Sequence, residues 1–264
     1  MLQLQHVSIT FNEGTPDEKK ALKNINLLLD RGEFVTVIGG NGAGKSTLMN
    51  IISGSLFSDI GRVVINGQDV GNLPEYKRSR YIGRVFQDPM AGTAPDMTIE
   101  ENLAIAYSRN KKRRLKLGVT KARKEYFQSH LETLNLGLED RLNAKVGLLS
   151  GGERQALSLL MATFTEPDIL LLDEHTAALD PARAELITSL TSEIVEKFNL
   201  TTLMVTHNMQ QALDMGTRLF MMDAGQIILD ARGEEKDNLA IEGLLEEFQR
   251  IRGRALVSDQ TVLG

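Results

Sequence analysis

Three short stretches of this chain carry residues suited to chemistry on phosphates. The first, GGNGAGKST at residues 39–47, lies between an apolar run and a helical pattern and fits G-x-x-x-x-G-K-[ST]. Gly42 and Gly44 let the backbone curl, so that successive N–H groups of Gly39, Gly40, Asn41, Gly42, Ala43 and Gly44 turn toward phosphate oxygens. A helix beginning near Lys45 adds its positive end. Lys45 is then expected to reach the β- and γ-phosphates, Ser46 to offer its hydroxyl to Mg²⁺, and Thr47 to complete the cradle. A glycine turn that merely caps a helix would not need the Lys-Ser-Thr that follows.

The second stretch, ILLLDE at residues 169–174, is an apolar run ending in two carboxylates. A buried parallel strand would deliver both at its C-terminal edge, where ligands of open α/β sheets bind. Asp173 is the expected holder of Mg²⁺ through water, and Glu174 the expected general base for the attacking water. The plainer reading makes these acids caps of the following loop. The third stretch, LSGGERQ at residues 149–155, offers the Ser150 hydroxyl, the exposed amides of Gly151 and Gly152, and a helix start. Ser150 followed by Glu153 also fits a capping box, and an N-cap turn is itself an anion site.

These groups need a scaffold. LQLQHVSI, ALKNINLLL and EFVTVIG read as strands, with NEGTPDEKK an exposed turn between the first two, giving an antiparallel layer that leads into a buried strand. STLMNIISG has helical spacing and closes on Gly54, and GRVVINGQDV reads as a hairpin around Asn66 and Gly67. From about Gln87 to Ser150 the pattern turns helical, with Thr98 and Glu101 spaced as a capping box and TKARKEYFQSHLETLNL amphipathic. DILLLDE and TTLMVTH are β-rich runs separated by a helix starting at Pro181, which implies a parallel crossover. RLFMMDAGQIILD reads as a closing hairpin, followed by a charged, flexible tail.

With 264 residues, 42% hydrophobic and 25% charged, the chain has enough apolar residues for a sizeable core. A net charge of −5 argues against a dedicated nucleic-acid binder, and no nucleic-acid partner is expected. Cysteine is absent, which excludes disulfides and thiolate metal sites. No apolar run approaches a membrane span and the first residues do not read as a secretory signal, so a cytoplasmic location is expected, with membrane business done through partners.

Taken together and in order, the motifs resemble those of the ABC-type ATPases over most of the chain, from about residue 2 to 230. The elements are the P-loop at 39–47, Gln87 after VF in VFQDP, the signature at 149–155, the Walker B run at 169–174, the D-loop at 177–180 with Asp180, and His207 after TTLMVT. The resemblance implies a P-loop NTPase (RecA-like) α/β core with an antiparallel β-subdomain and a helical subdomain. Core and β-subdomain would take about 1–86 and 156–235, the helical part 87–155, and a C-terminal helix and tail 236–264.

It also implies that ATP is the nucleotide and Mg²⁺ the metal, with Gln87 sensing Mg²⁺ and water and joining core to helical part, and His207 contacting the γ-phosphate and positioning Glu174. Without it, Gln87 would be a surface polar residue and His207 a hydrogen-bonded structural one. Phe11 matches the aromatic that stacks on adenine, against the alternative of plain burial. Two such domains pack head to tail in this family, so that Ser150, Gly151, Gly152 and Glu153 cover the ATP on the other copy's P-loop. A lone copy should therefore hydrolyse poorly.

Two positions depart from the family pattern. Gly40 stands where many relatives carry Pro or Ser, and His175 stands where Pro usually follows the Walker B glutamate. His175 either packs or titrates beside the site. The basic run SRNKKRRLKLG at 108–118 is either a solvated face or a contact for anionic headgroups.

A single ATPase domain resembles the separate subunits of bacterial importers, and VIGGNGAGKST, GRVFQDPMAGTAPDMTIEENL and LLLDEHTAALD resemble a group linked to tryptophan or related aromatic amino acids. That implies a homodimer, or one half of a pair, on two integral membrane permease subunits, peripheral on the inner face of the membrane, with a substrate-binding protein involved indirectly. The rival is a soluble ABC ATPase of an assembly machine, of the iron–sulfur scaffold type.

Overall fold

The computed structural model describes residues 1–109, 118–246 and 248–250. Ten strands are present among them: β1 Leu2–Phe11, β2 Lys19–Leu29, β3 Phe34–Gly39, β4 Ile60–Ile65, β5 Gln68–Asp69, β6 Ile82–Val85, β7 Ile169–Asp173, β8 Thr201–Val205, β9 Arg218–Asp223 and β10 Gln226–Arg232. The helices are α1 Lys45–Ser53, α2 Glu75–Arg78, α3 Ile99–Tyr107, α4 Lys121–Glu132, α5 Gly151–Thr163, α6 Pro181–Lys197, α7 Met209–Asp214 and α8 Glu234–Asp237, with a further helical stretch at 241–246 and 248–250.

The strands form two sheets. An antiparallel layer runs β2-β1-β4-β5, and a six-stranded sheet runs β10-β9-β3-β8-β7-β6, parallel except for β10. Strand β1 shows how the sequence sets the first layer. Leu2, Leu4, Val7 and Ile9 are all buried, although three positions separate Leu4 from Val7. The register shifts there and His6 takes φ 51, a bulge that returns the apolar residues to one face. The hairpin expected at Asn66 and Gly67 forms, with φ 49 and 78 at the two turn residues, as a type I′ turn needs.

In the parallel sheet both faces are covered, and successive residues feed different cores. Ile169 and Leu171 join the cluster under the antiparallel layer and α1, whereas Leu170 and Leu172 join the cluster beneath α3 to α6. Helix starts follow the expected local signals. Thr98 and Ser150 each complete a capping box, and Asp180 caps α6 with Pro181 at its first turn. Gly54 ends α1 in the left-handed conformation.

Residue 155, where the helical part was expected to end, lies inside α5. That helix buries ten of its residues and shares its core with β7, so helical segment and parallel sheet are one packed body on this face. Residues 110–117 of the basic run and the tail at 251–264 lie outside the described residues. Among the described residues no helix is long and apolar enough to cross a membrane.

Candidate functional site

The P-loop links the central strand β3 to the N-terminus of α1, so an anion bound at the loop would meet the positive end of a buried helix. Gly44 takes φ 104, and a methyl group there would lie 2.6 Å from the Ala21 carbonyl, so only glycine lets the loop pass this close to β2. Lys45 is buried, and its Nζ donates to the Gly39 carbonyl at 2.7 Å and the Gly40 carbonyl at 3.1 Å. Desolvation holds its pKa below the usual lysine range, with the fields of Glu174 and Asp173 working the other way.

One pocket gathers Phe11, Asn41, Gly42, Ala43, Gly44, Lys45, Ser46, Thr47, Glu174 and His207. It also takes in Lys19, which sequence reasoning missed. A methyl group at Gly42 would stand 3.4 Å from Lys19 Nζ, so this cation lies over the loop, and Lys19 pairs with Phe11 across β1 and β2. Two adjacent lysines at a strand edge look like a solvated edge, and only the register shows that one of them lines the pocket.

The two carboxylates behave differently. Glu174 lies one residue beyond β7 at φ 47, a conformation rarely taken by a residue with a side chain, and its N–H donates to the Val205 carbonyl at 2.9 Å. Its Oε1 is 2.6 Å from Nε2 of His207. Asp173 does not line the pocket. Its Oδ2 meets Nη2 of Arg84 at 3.0 Å, and both side chains are largely buried. Arg84 was also missed; a charged residue inside the apolar strand YIGRVF was the available signal. Phe11 lines the pocket wall, while Gln87 is exposed beyond β6 and outside the lining.

Ser150, Gly151, Gly152 and Glu153 open α5 and none of them lines the pocket. The Ser150 N–H donates to Glu153 at 2.7 Å, and Arg141 meets the same carboxylate at 2.6 Å. Burial opposes the charge on Glu153, but the Ser150 hydrogen bonds and Arg141 outweigh it and hold the carboxyl below its ordinary pKa. A methyl at Gly152 would lie 3.1 Å from Arg183, and one at Gly151 3.4 Å from Leu179, so the signature abuts the turn that Asp180 caps. Gln155, fully buried, donates to the Phe86 carbonyl at 3.2 Å and so joins the signature helix to the segment entering Gln87.

His175 is buried, and its Nε2 lies 3.0 Å from the Thr191 hydroxyl, which in turn donates to the Ile187 carbonyl. Burial lowers its pKa to about 4, so it packs as a neutral ring tying the post-Walker B turn to α6.

Comparison with known proteins shows the family. The sequence model described as "ABC transporter" matches residues 22–177. The chain is 44% identical over 249 residues to a tyrosine transport ATP-binding protein of Clostridioides difficile (strain R20291), covering 94% of this chain and 99% of that one. It is 32% identical over 234 residues to the sulfate/thiosulfate import ATP-binding protein CysA 2 of Agrobacterium fabrum (strain C58 / ATCC 33970), covering 89% of this chain and 64% of that one. The dimeric post-hydrolysis structure of the ATP-binding cassette MJ0796, bound to ADP and Pi, matches with a TM-score of 0.75 at 30% identity, covering 88% of this chain and 98% of that one. With its P-loop, paired carboxylates and capped signature helix in the family's order, the chain belongs to the ABC transporter family, as an ATP-hydrolysing subunit.

Proposed function

We propose that two copies of this chain pack head to tail on two permease subunits at the inner face of a membrane and drive import of a small solute. An amino acid with an aromatic side chain is the first candidate, because the relative that matches over nearly the whole chain is named for tyrosine transport. The observation that carries the two-copy reading is the separation of motifs: the signature at the start of α5 contributes nothing to the pocket of its own P-loop. A second copy would supply Ser150, Gly151, Gly152 and Glu153 to that open side.

In this reading the residues of 39–47 hold the phosphates, Phe11 stacks on the adenine, and Lys19 adds a cation beside the loop. Glu174 takes the proton of the attacking water, and His207 holds that carboxylate in position while reaching the γ-phosphate. Asp180 shapes the turn beside the signature, and Gln87 stands where nucleotide state passes to the helices that meet the permease.

Mg²⁺ suits the donor set. Among the described residues no group of three or more His, Cys, Asp or Glu can hold a metal alone, whereas Ser46, Asp173 and Gln87 offer hard oxygens. That fits an ion taken up with phosphates and keeping part of its water shell. Held by these residues, Mg²⁺ would supply positive charge against the phosphates.

The test is uptake of labelled tyrosine and tryptophan by cells whose only copy of the chain carries Glu174→Gln, together with affinity capture of the tagged chain from a detergent extract. Loss of uptake and capture of a polytopic permease are expected. Unchanged uptake of both, with only soluble scaffold proteins captured, would replace the import reading with that of an assembly machine.

A further inference from the structure

We propose that Arg84 is the internal counter-ion of Asp173 and keeps this aspartate from holding a divalent cation unless nucleotide is present. The inference deepens the reading of Asp173 as the metal-holding carboxylate and rests on it.

Arg84 lies on β6 opposite Leu171 of β7, two residues before Asp173, so its side chain reaches across to the neighbouring strand to meet the carboxylate. Nη2 meets Asp173 Oδ2 at 3.0 Å, and Nη1 meets the Ser53 hydroxyl in the last turn of α1 at 3.2 Å. The guanidinium lies 4.8 Å from the centre of the Phe86 ring. Its side chain is 12% exposed and that of Asp173 16%. Nε is buried without a hydrogen-bond partner. A buried pair that leaves one polar atom unsatisfied is poorly explained by stability, since a well-packed apolar side chain on β6 would serve the fold at least as well.

Charge explains it better. Lys45 feels both Glu174 and Asp173. With Arg84 added, both Lys45 and Arg84 offset these carboxylates before any phosphate arrives. A divalent ion approaching Asp173 alone meets the guanidinium's field, which is strong in this sheltered setting. A nucleoside triphosphate brings the extra negative charge that overcomes it. The site therefore takes its metal as a complex with nucleotide, and a bare ion gains little.

Mn²⁺ alone serves as the probe, measured by the loss of its free electron paramagnetic resonance signal on titration with nucleotide-free protein. Arg84→Met is expected to bind Mn²⁺ about fivefold more tightly than wild type, and Arg84→Lys, which keeps the charge, to stay within about twofold. Adding Asp173→Asn to Arg84→Met should abolish the gain. A merely structural arginine would give the opposite sign, weaker binding together with a lowered melting temperature. Arg84→Gln carries the same test if the methionine variant does not fold.

Nucleotide-free Mn²⁺ binding that is unchanged or weaker in both neutral variants overturns the proposal, provided Asp173→Asn weakens Mn²⁺ binding in the presence of ATP. If Asp173→Asn leaves binding with ATP unchanged, the metal role of Asp173 falls, and the role of Arg84 falls with it.

Discussion

Nε2 of His207 lies 2.6 Å from Oε1 of Glu174, and both side chains face the phosphate pocket. The sheet produces this contact. Strands β7 and β8 are parallel neighbours with Asp173 opposite Val205, so the residues just past their C-terminal ends meet beside the P-loop. Glu174 is held at positive φ by its hydrogen bond to Val205, which fixes the carboxylate's origin while His207 fixes its end.

Glu174→Gln should lower ATP turnover by roughly 100-fold or more while leaving nucleotide affinity near wild type, since the amide cannot accept the water's proton. His207→Ala should lower kcat by about 10- to 100-fold with little change in KM, because it frees a base already in place. Steady-state kinetics beside equilibrium binding of a fluorescent nucleotide checks both. A Glu174→Gln enzyme turning over at the wild-type rate would remove it as the base.

Completion of each site by another copy predicts complementation. Lys45→Met should lose phosphate binding, and Gly151→Asp should place a carboxylate where the partner's γ-phosphate is expected. Each variant alone should be nearly inactive. Mixed, they form a heterodimer with one intact P-loop facing one intact signature, and ATPase activity should return. A mixture as inactive as its components would contradict shared sites.

His175 makes stability depend on pH. Its folded pKa is about 4, against an ordinary value of 6.5, so between these values the unfolded chain binds a proton that the native ring refuses. Stability is therefore lost as pH falls from 6.5 toward 4, by roughly 3 kcal/mol in total from this residue, with no further loss below. Urea melts across that window should show the slope, and His175→Gln should flatten it.

Arg78 is wholly buried and donates to the carbonyls of Ile51, Ile52, Gly71 and Leu73, so it caps the C-terminal end of the P-loop helix and pins it to the segment between β5 and α2. Burial lowers its pKa, with Asp69 working the other way, yet four acceptors keep it in place. Arg78→Met should destabilise the chain by roughly 3–5 kcal/mol, because four carbonyls lose the guanidinium that donates to them. Thermal or urea unfolding measures it.

Most of what could be read in the residues was local, the parallel crossover from β7 through α6 to β8 being a longer-range exception. The P-loop glycines, the capping boxes of Thr98 and Ser150, the Asn66–Gly67 turn and the Asp180–Pro181 helix start each depend on residues a few positions apart, and the fold forms them all. Other pairings set by strand order escaped it. Nothing near Arg218 announces that β9 runs parallel beside β3, and Lys19, Arg84 and Arg78 gain their partners only once distant strands and α1 are assembled. The packing of His175 depends on the Thr191 hydroxyl of α6, sixteen positions further along the chain.

The most direct test of the account is the particle size of Glu174→Gln saturated with Mg·ATP, measured by size-exclusion chromatography with light scattering. A species of two chains that reverts to one when nucleotide is removed is predicted. A single-chain species at saturation, alone and on the permease, would contradict the claim that each ATP is held between two copies.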